Sequence, residues 1–376
     1  MYSFSDKVFD ISIFLSSLRN TRAKRIVLFG AGGYGEGLLD ELVRRGISLP
    51  IIFADNDRTK QGLSLNGRAI IPPRETDPST DLVVITTISA GDQVSYQLES
   101  LGFQRDVNYF EVMYSLDYLH PFDVVDFYKK YVGGFDGLDI LHIGPGGHLG
   151  VELLLYALGA KSVYSVEYHS FRLKYPDVSQ VKSFYEGLAK TAEERWDVDL
   201  FGRGLLLNQD EKLYIDKDKI RLLYPCTITA LPFSDKSFDL VLHHAVFEHV
   251  PGPEEGYKEI FRVLRPGGTT VGLVDPQDHR TFSSFKEYYP LKFLEYSREE
   301  WYEIAKEMNF HNQTTTPEHK NMILSQGFVM NTFEILMQMD ITEEIWQEFN
   351  PMFRSFDRKE LGILRFAFSA SRPDDE

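Results

Sequence analysis

The chain has 376 residues, of which 43% are hydrophobic and 14% aromatic, and its formal net charge is −16. This length exceeds one ordinary hydrophobic core, so two domains are expected. The negative charge disfavours nucleic acid as a partner, and the single cysteine, Cys226, excludes both a disulfide framework and a multi-cysteine metal site.

The amino terminus and the hydropathy pattern predict a protein without a membrane span. Residues Met1 to Lys7 lack a basic region followed by a long apolar run. No apolar stretch approaches the roughly 18 residues that cross a bilayer. We therefore expect a cytoplasmic protein whose partner is a small molecule.

The first hundred residues alternate short apolar strands with helices, a pattern typical of a parallel sheet. The predicted elements are a strand, a glycine-rich turn, a helix, two further strands and a second helix, at 25–29, 30–35, 36–45, 51–54, 81–87 and 93–101. We expect a Rossmann-like domain over residues 1–105.

The turn of this first domain predicts a nucleotide site. Its glycines suit phosphate binding at a helix N-terminus, and Asp55 or Asp57, after the next strand, can accept hydrogen bonds from ribose hydroxyls. The predicted site comprises Gly30, Gly32, Gly33 and Asp55. A turn that keeps its shape without any ligand is the alternative interpretation.

A second strand-turn-helix unit begins near Asp139, after an aromatic-rich stretch, 106–136, that we interpret as a helical connector. The turn contains Gly144, Pro145, Gly146 and Gly147. A helix over 151–158 and a strand over 162–166 follow, and the strand ends on Glu167. Glycines that admit a ligand to the backbone, with a carboxylate about twenty residues further on, predict a nucleoside site.

The remaining sequence predicts the rest of a second doubly wound domain, over 137–376. The stretch 170–225 is longer than the connection that a simple doubly wound domain needs. We therefore interpret part of it as an insertion near the opening of the ligand site. Helices are predicted at 183–196, 254–264, 298–308 and 343–349, and strands at 237–242, 269–274, 328–336 and 361–369. The last two strands can pair as an antiparallel edge.

Four motifs in this region occur in the order and spacing of a known family. They are Gly144-Pro145-Gly146, the acid Glu167, the stretch Leu231-Pro232-Phe233 leading to Phe238-Asp239-Leu240-Val241, and the run Arg262-Val263-Leu264-Arg265-Pro266-Gly267-Gly268. From about Leu138 to Pro276 the chain resembles a class I S-adenosylmethionine-dependent methyltransferase. The resemblance implies a seven-stranded sheet whose last strand is antiparallel, so the predicted fold is two Rossmann-like α/β domains in series.

The resemblance also implies S-adenosylmethionine as cofactor, with contacts from Gly144, Pro145, Gly146, Gly147, Glu167, Tyr168, Thr229 and His243. The chain departs from the family at two places. His142 stands where the first strand usually ends on an acid that positions the methionine part of the cofactor. Thr227 to Thr229 stand where an acid often holds the adenine amine.

An alcohol acceptor needs a general base near the carboxyl edge of the sheet. We expect His279 in this role, with Asp278 orienting it, and His244 as the second candidate; a hydrogen-bonded structural histidine is the alternative for each. A metal site is not expected, because the spacing of these residues matches no dedicated metal signature. Residues 276–325 are interpreted as a region that covers the acceptor.

The sequence from Phe29 to Asp57, followed by Gly67 to Pro72, resembles the Rossmann-like domain at the front of some sugar acetyltransferases and sugar-modifying methyltransferases. The expected function is therefore methyl transfer to a hydroxyl of a sugar or nucleotide-linked metabolite, with pairing of subunits left open. The alternatives are a nicotinamide-dependent oxidoreductase that uses the first turn, and a non-catalytic cofactor-binding protein.

Overall fold

The structure is a computed structural model that describes residues 9–10, 12–18, 22–87, 91–111, 113–114, 119–168, 182–282, 288–306 and 310–375. Contacts divide the chain into two compact units. The first comprises Met1–Ser115 and Asp278–His311, and the second comprises Leu116–Gln277 and Asn312–Glu376.

The elements that precede the second glycine turn are, in chain order, β1 (Phe9–Asp10), α1 (Ser12–Leu18), β2 (Arg25–Phe29), α2 (Gly33–Arg44), β3 (Ile51–Ala54), β4 (Ser64–Leu65), β5 (Arg68–Ile71), β6 (Asp81–Ile85), α3 (Gly91–Ser100), β7 (Tyr109–Glu111), β8 (Met113–Tyr114), α4 (His120–Val132) and β9 (Asp139–Ile143). The elements that follow it are α5 (Gly150–Ala157), β10 (Ser162–Val166), α6 (Lys182–Trp196), β11 (Leu206–Gln209), β12 (Lys212–Ile215), β13 (Ile220–Leu223), β14 (Phe238–His244), α7 (Pro253–Val263), β15 (Leu264–Val274), α8 (Arg298–Ala305), α9 (Thr316–Ser325), β16 (Val329–Gln338), α10 (Glu343–Glu348), α11 (Arg358–Leu361) and β17 (Ile363–Ser371).

The first unit contains a six-stranded sheet in the order β4-β5-β3-β2-β6-β7. All neighbouring strands are parallel except β4 and β5. Ile26 and Leu28 of β2 pack in one core cluster with α2, whereas Val27 and Phe29 pack in another with α3. Both faces of the sheet are therefore covered, which explains why its central strands are apolar throughout.

The second unit contains a seven-stranded sheet in the order β13-β10-β9-β14-β15-β17-β16. Strands from β13 to β15 are parallel, and β17 pairs antiparallel with both β15 and β16. The predicted α/β fold, with two Rossmann-like domains and an antiparallel last strand, is confirmed. The parallel order places the carboxyl ends of β10, β9 and β14 side by side, where open α/β sheets bind their ligands.

The two faces of this sheet are buried by different helices. Ile140 of β9 packs on the face covered by α4, α5 and α6, and Leu141 packs on the face covered by α7 and α9. His142 follows Leu141 on the strand, so its side chain returns to the α5 face. Among the described residues, no helix is long and apolar enough to cross a membrane.

Candidate active site

The glycine turn between β9 and α5 is the centre of the candidate site. The Gly144 N–H donates to the Val166 carbonyl at 3.0 Å, which ties the turn to β10. Gly144 has a φ of 73°, and a Cβ there would lie 2.5 Å from Val246 Cγ2. A Cβ at Gly146 or Gly147 would meet no atom within 4 Å. The turn is thus closed on the side of β14 and open at Gly146 and Gly147.

Glu167 lies directly after β10, one strand away from the turn. Its N–H donates to the Leu223 carbonyl at 3.0 Å, and its carbonyl accepts from the Cys226 N–H at 2.8 Å. These bonds fix Glu167 against the end of β13. The residue is 7% exposed, so its position is set by the backbone of two neighbouring strands.

The other residues predicted at the nucleoside end differ in exposure and in hydrogen-bond partners. Pro145 is buried, whereas Tyr168 is exposed. The Thr229 N–H donates to Thr227 Oγ1 at 3.2 Å, and the two hydroxyl groups lie 2.8 Å apart. A surface cavity of about 500 Å³ runs along the loop after β13 and is lined by 222–227 with Ala230 and Pro232.

The two histidines that end β14 have different surroundings. His243 is fully buried between Phe247 and Phe368, with ring centroids 4.7 and 5.5 Å away. Its ring therefore packs in the hydrophobic core, and its predicted cofactor contact remains a prediction. His244 packs edge-on against Phe127 at 5.6 Å. Burial lowers the pKa of both histidines to about 3, so both imidazoles are neutral at neutral pH.

A partly buried ion pair at the end of β15 was not predicted from the sequence. Arg365, on β17, donates to Asp275 Oδ2 from Nε at 3.0 Å and from Nη2 at 2.5 Å. Gln277 Nε2 donates to the other oxygen of Asp275 at 2.7 Å. The antiparallel strand β17 therefore places the guanidinium group of Arg365 at the edge of the sheet where β14 and β15 end. The arginine is 90 residues away in sequence, so no local motif could have indicated this pair.

Glu248, just beyond β14, is fully buried, and its two carboxyl oxygens have no hydrogen-bond partner among the described residues. Burial and the nearby Asp275 carboxylate raise its pKa well above the usual value for a glutamic acid. The Glu248 carbonyl accepts from the Asn312 N–H at 2.8 Å, which fixes the loop after β14.

His279 and Asp278 belong to the first unit, whereas His244 belongs to the second. The Asp278 carboxylate accepts from Arg280 Nε at 3.0 and 3.1 Å and from Nη2 at 2.6 Å. This buried pair was not predicted, and it engages both oxygens of Asp278. His279 packs against Phe282 and His311, with ring centroids 4.8 and 4.5 Å away. The catalytic roles of Asp278 and His279 remain predictions.

The turn of the first unit is held by its own acidic residue. Asp55 Oδ2 accepts from the Ala31 N–H at 2.7 Å, and Asp55 Oδ1 accepts from the Asp57 N–H at 2.8 Å. Lys60 Nζ donates to the Ala31 carbonyl at 3.0 Å and lies 3.3 Å from Asp55 Oδ2. The carboxylate predicted to bind ribose thus stabilises the turn directly.

The glycines of this turn differ in how much space a side chain would have. Gly30 has a φ of 119°, and a Cβ there would lie 2.6 Å from Thr87 Cγ2. Gly32 precedes α2, Gly33 begins it, and a Cβ at Gly32 would meet no atom within 4 Å. The site formed by Gly30, Gly32, Gly33 and Asp55 remains a prediction.

Comparison with known proteins points to one chemistry. Residues 186–272 match the family described as a methyltransferase domain. Phosphoethanolamine N-methyltransferase 2 of Caenorhabditis elegans is 30% identical over 127 residues, which are 31% of this chain and 28% of that protein. The ubiquinone/menaquinone biosynthesis C-methyltransferase UbiE of Pseudoalteromonas translucida is 26% identical over 115 residues, which are 28% of this chain and 45% of that protein. The chain thus spans less than half of the length of these two relatives.

Similar solved structures include methyltransferases and the [4+2]-cyclase SpnF, which is 14% identical with a TM-score of 0.37 and with 67% of this chain and 81% of that chain covered. Geranyl diphosphate methyltransferase in complex with SAM is 15% identical and has a TM-score of 0.37, with 68% of this chain and 86% of that chain covered. A SAM-dependent methyltransferase from Methanosarcina mazei is 18% identical and has a TM-score of 0.37, with 64% and 94% covered.

The sequence match and the observed sheet order together define the C-terminal domain. Residues 186–272 carry the methyltransferase-domain match, the seven-stranded sheet has the class I order, and both support S-adenosylmethionine as the cofactor. The residues at the second turn fit this group. Open space at Gly146 and Gly147 admits a ligand to the backbone, and a buried acid follows the neighbouring strand.

Proposed function

We propose that the protein transfers the methyl group of S-adenosylmethionine to a hydroxyl of a small polar acceptor, either a sugar or a nucleotide-linked metabolite. The observation that carries the proposal is the joining of the Gly144 turn, the end of β10 and the end of β14 at one sheet edge. The Gly144 N–H bonds to β10, and the same glycine lies against Val246, two residues after β14. A group seated on this turn therefore faces the residues that follow β14.

In this proposal Gly146 and Gly147 leave room for the methionine end of the cofactor, and the Glu167 carboxylate accepts hydrogen bonds from the ribose. Thr229, with the cavity beside it, borders the adenine end. When bound, the cofactor supplies an electrophilic methyl group on a sulfonium. The chain must then align the acceptor oxygen with this methyl group and exclude water.

His244 is the base that the geometry favours. Of the two histidines predicted for this role, it is the one in the same unit as the Gly144 turn. The lowered pKa keeps its imidazole neutral at neutral pH and also makes it a weak base, so proton transfer to it must accompany methyl transfer instead of preceding it. The Asp275–Arg365 pair ends the neighbouring strand and offers charged hydrogen-bonding groups to a polar acceptor.

The first unit has a separate proposed role, which is to recognise a nucleotide-linked part of the acceptor or to mediate pairing of subunits. Open space at Gly32, at the beginning of α2, supports phosphate binding there. Equilibrium dialysis with a nucleoside diphosphate tests the first option, with Gly32→Val as the variant that fills the space. Binding lost in the variant supports recognition, and no binding to the unaltered protein contradicts it.

The acceptor proposal is tested by offering the protein isotopically labelled S-adenosylmethionine and a panel of sugars and nucleotide sugars. The expected product carries one methyl group on oxygen, located by mass spectrometry and NMR. His244→Asn should lower turnover by about a hundredfold, as for a lost general base, whereas the surface variant Glu194→Gln should leave it unchanged. A product methylated on nitrogen or carbon would contradict the proposed acceptor class, and normal turnover in His244→Asn would contradict the role of that histidine.

A further inference from the structure

Four buried polar side chains form a continuous network beneath the Gly144 turn. His142 Nδ1 lies 2.6 Å from Glu152 Oε1, and its Nε2 lies 3.2 Å from the hydroxyl of Tyr128. The Ser165 hydroxyl donates to Glu152 Oε1 at 2.8 Å and lies 3.1 Å from the His142 carbonyl. The side chains of His142 and Glu152 are 2% and 0% exposed. Glu152 of α5 therefore bridges the two strands that carry the turn and Glu167.

The hydrogen-bond pattern identifies the charged member of the network. Burial raises the pKa of Tyr128 well above its usual value, so the phenol keeps its proton and can donate it to His142 Nε2. His142 then donates from Nδ1 to Glu152. Burial alone would raise the pKa of Glu152, but His142 and the hydrogen bonds that it and Ser165 donate lower it overall. Glu152 is therefore the ionised carboxylate of the network.

This charge lies next to the residues of the proposed cofactor site. His142 is two residues before Gly144, Ser165 is two residues before Glu167, and Glu152 is in the first turn of the helix that follows the glycines. A carboxylate is favoured at a helix N-terminus. Glu152 Oε2 has no hydrogen-bond partner among the described residues. An anion buried in this way is costly unless a cation compensates it.

We propose that Glu152, acting through His142, is a positioning residue that makes the site select the charged methyl donor over its uncharged demethylated product. The proposal rests on the placement of the cofactor at the Gly144 turn given above. S-Adenosylmethionine carries a sulfonium charge that S-adenosylhomocysteine lacks. A fixed negative charge in a water-excluded region stabilises the first ligand and not the second. Binding of the donor and release of the product are then favoured by the same group.

The proposal is tested by calorimetric titration of the full chain with S-adenosylmethionine and with S-adenosylhomocysteine. Glu152→Gln keeps the shape of the side chain and removes its charge. It should weaken binding of the donor by about tenfold, the order expected for a unit charge about 10 Å away at an effective dielectric constant of about 20, and change binding of the product by less than about twofold. Glu194→Gln, on the exposed face of α6, is the matched control and should change neither affinity.

A second variant relocates the charge instead of removing it. His142→Glu combined with Glu152→Gln places the acid on the strand, and it should restore the ratio of the two affinities. This variant carries the test by itself if Glu152→Gln does not fold, as judged by circular dichroism. An equal loss of affinity for both ligands in Glu152→Gln, or an unrestored ratio in the relocated variant, would overturn the proposal. Wild-type protein that binds neither ligand would contradict the cofactor placement itself.

Discussion

Arg365 and Asp275 join the last strand of the second sheet to the end of its last parallel strand. Two guanidinium nitrogens of Arg365 contact one oxygen of Asp275, and the Asp275 carboxylate is 7% exposed. The pair lies where β15 ends, so it connects the stability of the sheet to the shape of the proposed acceptor site.

Removing either partner of this pair should destabilise the protein. Arg365→Ala leaves a buried carboxylate without its cation, and we expect the free energy of unfolding to fall by about 3 kcal/mol. Urea denaturation followed by circular dichroism measures the change. Arg358→Ala, at an exposed ion pair, is the control and should cost less than about 1 kcal/mol. Equal effects of the two substitutions would show that the Asp275 pair is not buried.

Glu167→Ala should weaken binding of S-adenosylmethionine without unfolding the protein. The loss expected is about 1.5–3 kcal/mol, as for a hydrogen bond to a charged group. Calorimetry measures the affinity, and the melting temperature of the ligand-free variant serves as the control for folding. Unchanged affinity would place the ribose elsewhere.

The glycines of the second turn should respond differently to alanine. Gly144→Ala creates a contact at 2.5 Å with Val246 and requires a positive φ, so we expect destabilisation of at least about 1 kcal/mol. Gly147→Ala meets no atom within 4 Å, so it should fold normally. If the space at Gly147 receives the cofactor, this variant should still bind S-adenosylmethionine more weakly. Normal affinity would show that the ligand does not approach Gly147.

Stability should fall on acidification because several histidines are buried in the neutral form. Burial lowers the pKa of His243 and His319 to about 3 and that of His148 to about 4. The unfolded chain binds a proton at each of these residues near pH 6.5, whereas the folded chain does not. Their stabilising contribution is complete above about pH 6.5 and is lost as the pH falls toward the folded values.

His243 provides the direct test of this pH dependence, because neither ring nitrogen has a hydrogen-bond partner among the described residues. His243→Leu should reduce the difference in unfolding free energy between pH 7.5 and pH 5 by about 2 kcal/mol. Urea midpoints at the two pH values give the result. An unaltered difference would mean that His243 is not buried as a neutral imidazole.

The sequence predicted the features that depend on local patterning. The strand over Ser162–Val166 matches its predicted bounds, and the predicted strands near the carboxyl terminus pair antiparallel as β16 and β17. Apolar runs, glycine turns and acids at strand ends are visible within a few residues, so they indicate both the fold and the cofactor.

Side-chain pairs between distant elements were not predictable in this way. Arg365 reaches Asp275 from 90 residues further along the chain. His142 stands where the resembled family usually has an acid, and Glu152 brings a carboxylate to that histidine from the next helix. Glu152 is the one acid in the apolar run Gly150–Ala157, and this was the sequence feature that indicated a buried carboxylate. Its contact with His142 could not be predicted without knowing which face of α5 is buried.

A crystal structure of the full chain with S-adenosylhomocysteine tests the central claim most directly. The account predicts electron density for the ligand along the Gly144–Gly147 turn, with both ribose hydroxyls within hydrogen-bonding distance of the Glu167 carboxylate. Density for the ligand at any other place, with protein side chains filling the space beside Gly146 and Gly147, would contradict it.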